Sequence, residues 1–258
     1  MNPIGAVARN TFREAIRDRI LFSLVFFAAA MIGAAILFTQ MSFAIDAEAL
    51  INFSLTALTL FGIIIAVFLG NQLVAKEIER RTLYTLLAHP VRRWQFVLGK
   101  YAGLLLTLLV NCGLMALAFV LALSYVLHGT HPGEGNLAAA LLFIFLQLAL
   151  VTALALLFSC FSSPVLAAVF SLALFLVGNF ADDLRAMGRT TQHVPAKLLA
   201  LGCSYLLPNF SDLNVVTAAS HFQPIRLSLV FLNTGYVVVY AGALLLAACA
   251  ILEGRDLK

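Results

Sequence analysis

The run LINFSLTALTLFGIIIAVFLGNQLVA at Leu50–Ala75 passes directly into KEIERRTLYTLLAHPVRRWQFVLGK at Lys76–Lys100. The first stretch is uncharged throughout. As a helix it is long enough to cross a hydrocarbon core about 30 Å thick, which takes about 20 apolar residues. The second stretch ends that span with two clusters of charge. Outward from this pair, five more uncharged runs recur: Ile20–Gln40, Tyr101–Leu127, Leu137–Phe161, Val165–Phe180 and Leu227–Leu252. The sequence therefore predicts an all-α integral membrane protein with six spans in one domain over residues 1–258. The fifth run is the shortest. Ser163 as cap and Pro164 at the first helical position, where a missing N–H costs nothing, predict a tight turn at Phe161–Val165.

The composition agrees. Of 258 residues, 62% are hydrophobic and 11% charged, against about 45–50% and about 25% in soluble domains, and the mean hydropathy is +1.01. A disordered chain, a nucleic-acid module and a disulfide-stapled scaffold are excluded. The four cysteines form no CxxC pair, which leaves a zinc or disulfide framework without support.

Six spans put both termini on one side, and Lys and Arg decide which. Twelve basic residues (Arg9, Arg13, Arg17, Arg19, Lys76, Arg80, Arg81, Arg92, Arg93, Lys100, Arg255 and Lys258) fall on the side of the termini and the 76–100 segment. The other side has four: Arg185, Arg189, Lys197 and Arg226. The excess predicts cytoplasmic termini. The outer loops are then Met41–Ala49, His128–Asn136 and the long Ala181–Arg226 segment. Residues 2–19 precede the first span as an amphipathic helix. Ile4, Val7, Ala8, Phe12, Ala15 and Ile16 share one arc and Arg9, Arg13 and Arg17 the opposite one, as in a helix lying in the membrane interface.

No Asp, Glu, Lys or Arg occurs inside the six runs. Ion-coupled transporters and intramembrane enzymes place ionisable groups there, so those machineries are missing. What remains is neutral polarity: Asn71, Gln72, Asn111, Gln147, Thr152, Asn179, Asn233 and Thr234. Interhelical hydrogen bonding worth about 1 kcal/mol each is the plain reading. Asn71, Gln72, Asn111, Gln147 and Asn179 are the candidates for lining a path instead. Gly99-x-x-x-Gly103 permits close helix packing. No phosphate loop exists, since Gly99-Lys100 is followed by Tyr101 and Trp94 stands where the earlier glycine is required, so the chain does not bind ATP in that way. His128-x-x-His131 with Glu134 reads first as a turn and only second as a metal site. Asn52 and Asn209 each begin an N-x-S triplet, a pattern short enough to arise by chance.

In the 76–100 segment, Leu83, Leu86 and Leu87 give a short helix an apolar face, His89-Pro90 ends it, and Arg92 and Arg93 open the next helix. A knob edged by charge suits docking into a groove on a soluble partner. It equally suits an interfacial loop whose basic residues hold lipid headgroups.

The cluster E-x-E-R-R-T-L-x-x-L-L at Glu77–Leu87, with H-P-V-R-R-W after it and F-V-L-G-K at Phe96–Lys100, resembles the cytoplasmic signature of type-2 ABC exporter permeases. The chain is most similar to the permeases grouped with multicopper-enzyme (nitrous oxide reductase) maturation and with gliding motility. Y-L-L-P-N-F-S-D-L-N at Tyr205–Asn214 is also typical of that group. Many members have Gly where Arg81 stands. The resemblance implies the type V exporter fold: an elbow helix, six spans, a coupling helix between spans two and three, and re-entrant outer helices between spans five and six. It also implies a bacterial inner membrane. Two permease subunits, identical or not, would pair around a path, and a separate ATPase subunit, holding ATP and Mg, would dock on each coupling helix. By that carry-over Glu77, Glu79, Arg80, Arg81, Thr82, Leu83, Leu86, Leu87, His89, Pro90, Arg92 and Arg93 form the ATPase contact. Leu206, Pro208, Asn209 and Phe210 belong to the outer gate.

The outer segment agrees in part with this. Ala196–Leu207 is apolar except for Lys197, too short to span and stopped by Pro208, as in a re-entrant or interfacial helix. Asp182, Asp183, Arg185 and Arg189 read as a solvated collar in preference to a cap on the mouth. The sequence thus leads to the transmembrane subunit of an ATP-driven exporter, itself neither enzyme nor cofactor carrier, with lipid and protein partners and no nucleic acid. The rival is an ATP-independent channel or scaffold. An apolar path with scattered amides fits lipids, amphipathic drugs, peptides or a sulfur species; copper ions fit poorly, because Met and Cys are unpaired along every span.

Overall fold

The computed structural model describes residues 3–17, 26, 27, 30, 33, 47–79, 92–127, 134–190, 197, 202 and 207–254. Every regular element among them is a helix: α1 (Pro3–Arg17), α2 (Ala47–Glu79), α3 (Arg93–Leu127), α4 (Glu134–Ser159), α5 (Pro164–Asn179), α6 (Ala181–Thr190), α7 (Val216–Ser220) and α8 (Leu227–Gly254). Four stretches, Glu48–Asn71, Arg93–Ser124, Gly135–Ser159 and Leu227–Gly254, are long and apolar enough to cross a membrane. Helices α5 and α6 meet at a 51° bend and add a fifth if the pair is one span. Of the span expected at Ile20–Gln40 only residues 26, 27, 30 and 33 are described. There Phe26 and Phe27 set their rings edge-on to Phe61 of α2, at 5.8 and 5.7 Å. The helix expected at Ala196–Leu207 lies outside the described residues except for 197, 202 and 207, and so do His128 and His131.

The helix ends follow from capping. Arg92 is the residue before α3, and the Gln95 side chain reaches back to accept from its N–H at 3.0 Å while the Gln95 N–H donates to the Arg92 carbonyl at 2.9 Å. That is half of a capping box, and it starts the helix well before the uncharged run at Tyr101. Pro164 opens α5 as expected. Ser163 is extended there (φ −69°, ψ 157°), but its hydroxyl makes no capping bond, unlike the cap expected from the sequence.

Helix α4 is the hub, packed against α2, α3, α5, α7 and α8. It is apolar on nearly every side, as a helix enclosed by others is, and its second half is buried all round: Leu150, Val151, Ala153, Leu154, Ala155 and Leu156 are closed off, while Leu142 nearer its start is exposed. Helix α8 sits at the edge, with Leu227, Phe231, Leu232, Val238, Val239 and Leu246 exposed, an apolar face suited to lipid.

Helix α1 lies along the start of α3. Thr11 and Ala15 are fully buried, Val7 and Ala8 half-buried, and Arg9 and Arg13 exposed. Ile16, placed on the apolar arc by the sequence, is exposed. Gly99 and Gly103 make the approach possible: a Cβ on Gly99 would stand 2.7 Å from the Val7 Cβ, and one on Gly103 2.6 Å from the Ala8 carbonyl oxygen. Between the two helices Lys100 is buried, its Nζ 4.0 Å from Glu14 Oε2 and 5.8 Å from the centre of the Phe96 ring.

The neutral polar side chains of the spans mostly bond along their own helix. Thr152 donates to the Leu148 carbonyl, Asn111 to Thr107, Asn179 to Phe175 and Thr234 to Val230, each four residues back. Among the described residues the interhelical bonding expected from sequence is seen in a few pairs, such as Ser159 Oγ to the Asn71 carbonyl at 3.4 Å and Tyr101 Oη to the Ala149 carbonyl at 3.2 Å.

Candidate functional site

Most of the expected coupling segment lies outside the described residues: Arg80, Arg81, Thr82, Leu83, Leu86, Leu87, His89 and Pro90. Glu77 and Glu79 fall on the last turns of α2, and Arg92 and Arg93 at the start of α3, so the segment connects two long helices. Arg92 is exposed. Arg93 turns toward the protein: its guanidinium donates to the carbonyls of Leu252 and Glu253 at the end of α8, the latter at 3.0 Å. A cation on the last, otherwise unpaired carbonyls of a helix satisfies them and opposes the negative end of its dipole.

At the opposite end of the bundle, residues 207–214 form a loop fastened to two helices. Pro208, Asn209 and Phe210 are buried. The Phe210 N–H donates to the Gly178 carbonyl at 3.1 Å, and its ring meets Phe175 edge-on at 5.1 Å. Gly178 is needed there, since a Cβ would stand 2.4 Å from the Pro208 carbonyl oxygen. Toward α8, the Asn209 N–H donates to Tyr236 Oη at 2.8 Å, and Asn233 Nδ2 donates to the Asp212 carbonyl at 3.4 Å. The Asn209 side chain organises the turn. Its Oδ1 accepts from the N–H of Ser211 (3.1 Å) and of Asp212 (3.4 Å), and its Nδ2 donates to Asp212 Oδ2 (2.6 Å) and Asp182 Oδ1 (3.3 Å). Arg185 completes the cluster by donating to Asp182 Oδ1 at 2.9 Å. Burial, then the charge of Asp182, push the Asp212 carboxyl above the ordinary carboxylate range, with Arg185 opposing.

Sequence reasoning selected Pro208, Asn209 and Phe210, and the structure brings them together; Leu206 lies outside the described residues. It set Asp182 and Arg185 apart as part of a surface collar, whereas both join the loop. Asp183 and Arg189 stay exposed. Asn209 is too buried to serve as a glycosylation acceptor.

Beneath this loop, between α2 and α5, lies a cleft of about 460 Å³. Helix α2 contributes Asn52, Thr56, Thr59, Leu60, Ile63 and Ile64. Leu172, Phe175 and Leu176 of α5 form the facing wall, and Asn214, Val216 and Thr217 the roof. Just beyond the roof, His221 Nδ1 lies 2.9 Å from Glu48 Oε2, one turn before Asn52. The candidates chosen from sequence for a path lie elsewhere. Asn71, Asn111 and Gln147 are buried within the bundle, Asn179 ends α5, and the Gln72 side chain lies outside the description. Asn52, Thr56, Thr59 and Ile63 were missed, although their spacing of four, three and four residues marks one helical face. Among the described residues no group of three His, Cys, Asp or Glu is arranged to hold a metal.

No curated protein matches the chain. A family model, described as ABC-2 family transporter protein, matches residues 5–235 and so takes in the helices on both sides of the 76–100 segment, the cleft and the fastened loop. With apolar helices long enough to cross a membrane and a match over most of its length, this chain belongs to the ABC-2 transporter family, as a multi-pass transport subunit.

Proposed function

We propose that the protein is the permease subunit of an ATP-driven exporter in a bacterial inner membrane, energised by a separate ATPase subunit docked on the 76–100 segment and working with a second permease subunit. Family membership over residues 5–235 carries this reading. The sequence has no phosphate loop, so the energy must come from a partner. The positive-inside bias puts the 76–100 segment in the cytoplasm and the Asn209 loop outside, and gives six spans when Ile20–Gln40 is included. Glu77, Glu79, Arg80–Thr82, Leu83, Leu86, Leu87, His89, Pro90 and Arg92 then meet the ATPase, while Arg93 ties the docking segment to α8. The α2–α5 cleft is one wall of the path, in its outer half, and the Asn209 loop is its outer gate. The motif resemblance at Glu77–Lys100 and Tyr205–Asn214 supports a place in the group associated with multicopper-enzyme maturation and gliding motility.

The test is purification of the tagged chain from its native host in mild detergent. An ATPase subunit is expected to co-purify and to be lost with Leu83→Asp and Leu86→Asp in a chain that still folds. A stable chain with no ATPase would replace this reading by an ATP-independent channel or scaffold.

A further inference from the structure

The cleft has a chemical polarity of its own. At the end nearest the roof stand Asn52, Thr56, Asn214 and Thr217; further along α2 come Thr59, Leu60, Ile63 and Ile64, faced by Leu172, Phe175 and Leu176, and the Thr59 hydroxyl is spent on the Leu55 carbonyl at 2.8 Å. None of the described lining residues is charged. An ion bound there would leave water and meet no counter-charge among the described lining residues, a heavy cost in an apolar setting. The Glu48–His221 pair beyond the roof is already matched to itself.

The hydrogen-bonding capacity leans toward donors as well. Asn52 Oδ1 already accepts from Thr56 Oγ1 at 3.3 Å, and Asn214 Oδ1 from the Val216 N–H at 3.4 Å. Their Nδ2 groups have no protein partner among the described residues. The roof end therefore offers a ligand mainly donors, the two amide Nδ2 groups, with one lone pair left on each Oδ1 and a Thr217 hydroxyl that donates or accepts. Such a site takes acceptors: ester, ether or amide oxygens.

We infer that the cleft binds an uncharged amphiphile, its acceptor-bearing head held by Asn52, Asn214 and Thr217 and its apolar tail laid along Leu60, Ile64, Phe175 and Leu176. Leu60, Ile64 and Leu176 are also exposed along the apolar surface, so a tail can enter sideways from lipid. The inference rests on the permease reading for its sense as a substrate class, but the site itself does not need an ATPase.

The experiment uses the full chain alone in lipid nanodiscs, with a diazirine-bearing monoacylglycerol as probe and the label mapped to peptides. Labelling is expected to concentrate on residues 52–64 and 172–176. Unlabelled monoacylglycerol should displace it, and palmitate or hexadecylamine at the same concentration should not. Asn52→Leu, at an exposed position, should lower labelling about fivefold, which is what one lost hydrogen bond amounts to. Thr217→Val tests the same head contact independently. Label spread evenly over the exposed faces of α3 and α8, equal displacement by the charged analogues, or undiminished labelling in both variants would overturn the inference. A labelled cleft in a chain that recruits no ATPase would sink the permease reading and leave the site. An ATPase partner with an unlabelled cleft would do the reverse.

Discussion

Arg93, in the first turn of α3, donates through its guanidinium to the backbone carbonyl of Glu253, in the last turn of α8, at 3.0 Å. The two residues are 160 positions apart, and their contact joins the segment expected to receive the ATPase to the final helix. Arg93→Ala leaves the last carbonyls of α8 without their cation. A charge-assisted bond and the dipole interaction at a partly buried site make the loss about 1–2 kcal/mol. Arg93→Lys should retain part of it. Hydrogen exchange of residues 250–254 in the detergent-solubilised chain measures this. Unchanged protection in the alanine variant would contradict it.

Gly103 lies under α1. A methyl at this position would meet the Ala8 carbonyl oxygen and the Thr11 Cβ, both at 2.6 Å, and both belong to a helix that would have to move. Gly103→Ala should cost about 1–3 kcal/mol and raise proteolysis of residues 3–17. Gly113, on the same helix, has open space around it. Gly113→Ala should be neutral or stabilising by up to about 1 kcal/mol, since glycine is the poorer helix former. Equal effects at the two positions would remove the packing explanation.

Tyr236 Oη is the acceptor for the buried N–H of Asn209. Tyr236→Phe keeps the ring and removes the acceptor, leaving that N–H without a partner at a cost of about 1–3 kcal/mol. Exchange at Asn209 should quicken about tenfold for each 1.4 kcal/mol lost, while α4 stays protected. A loop that exchanges at the native rate would show that this bond does not fasten it to α8.

Asp212 makes the same loop sensitive to pH. Its carboxyl is pushed up in the folded protein by burial and by Asp182, so the fold favours the neutral form. That stability is fully present below the unfolded-state value of about 3.9 and is lost as pH rises through the higher folded-state value. Exchange of residues 208–214, corrected for the intrinsic base-catalysed rate, should therefore show most protection in acid and less above the carboxylate range. Asp212→Asn should flatten that slope, because an amide oxygen can still accept from Asn209 Nδ2. A slope that survives the substitution would show that Asp212 is not its source.

The spans were legible in the sequence because a membrane core demands long uncharged runs, and Leu50–Ala75 and Leu137–Phe161 satisfy that without any tertiary information. What those runs do not encode is rotation. Helix α4 is apolar on nearly every side, and on α2 the Asn52, Thr56 and Thr59 stripe marks a face without telling whether that face meets the bundle or a cleft. Asn71 was chosen as a path candidate and is buried, its side-chain amide without a partner among the described residues; Asn52, passed over, lines the cleft. Gly99 and Gly103 were recognised as a packing motif, but their partner, α1, is separated from them by two spans of sequence. The role of Arg93 was likewise out of reach, since a cap on carbonyls 159 and 160 positions away leaves no local pattern. The Asn209 loop was the exception. Pro208 and Asn209 are turn residues whose chemistry is local, and only their fastening to Gly178, Asp182 and Tyr236 required the fold.

In the proposed permease, ATP bound by the partner ATPase moves the α2–α5 cleft. Leu60 and Leu176 face each other across it and are exposed, so both accept a spin label after Cys112, Cys160, Cys203 and Cys249 are replaced. The measurement is the distance between the two labels in the purified complex with its ATPase, before ATP-Mg and after trapping with vanadate. The account predicts a shift of about 2 Å or more, the scale of helix movements in switching proteins, lost when Leu83 and Leu86 are changed to Asp. An identical distance in both states, in a complex that hydrolyses ATP, would contradict it.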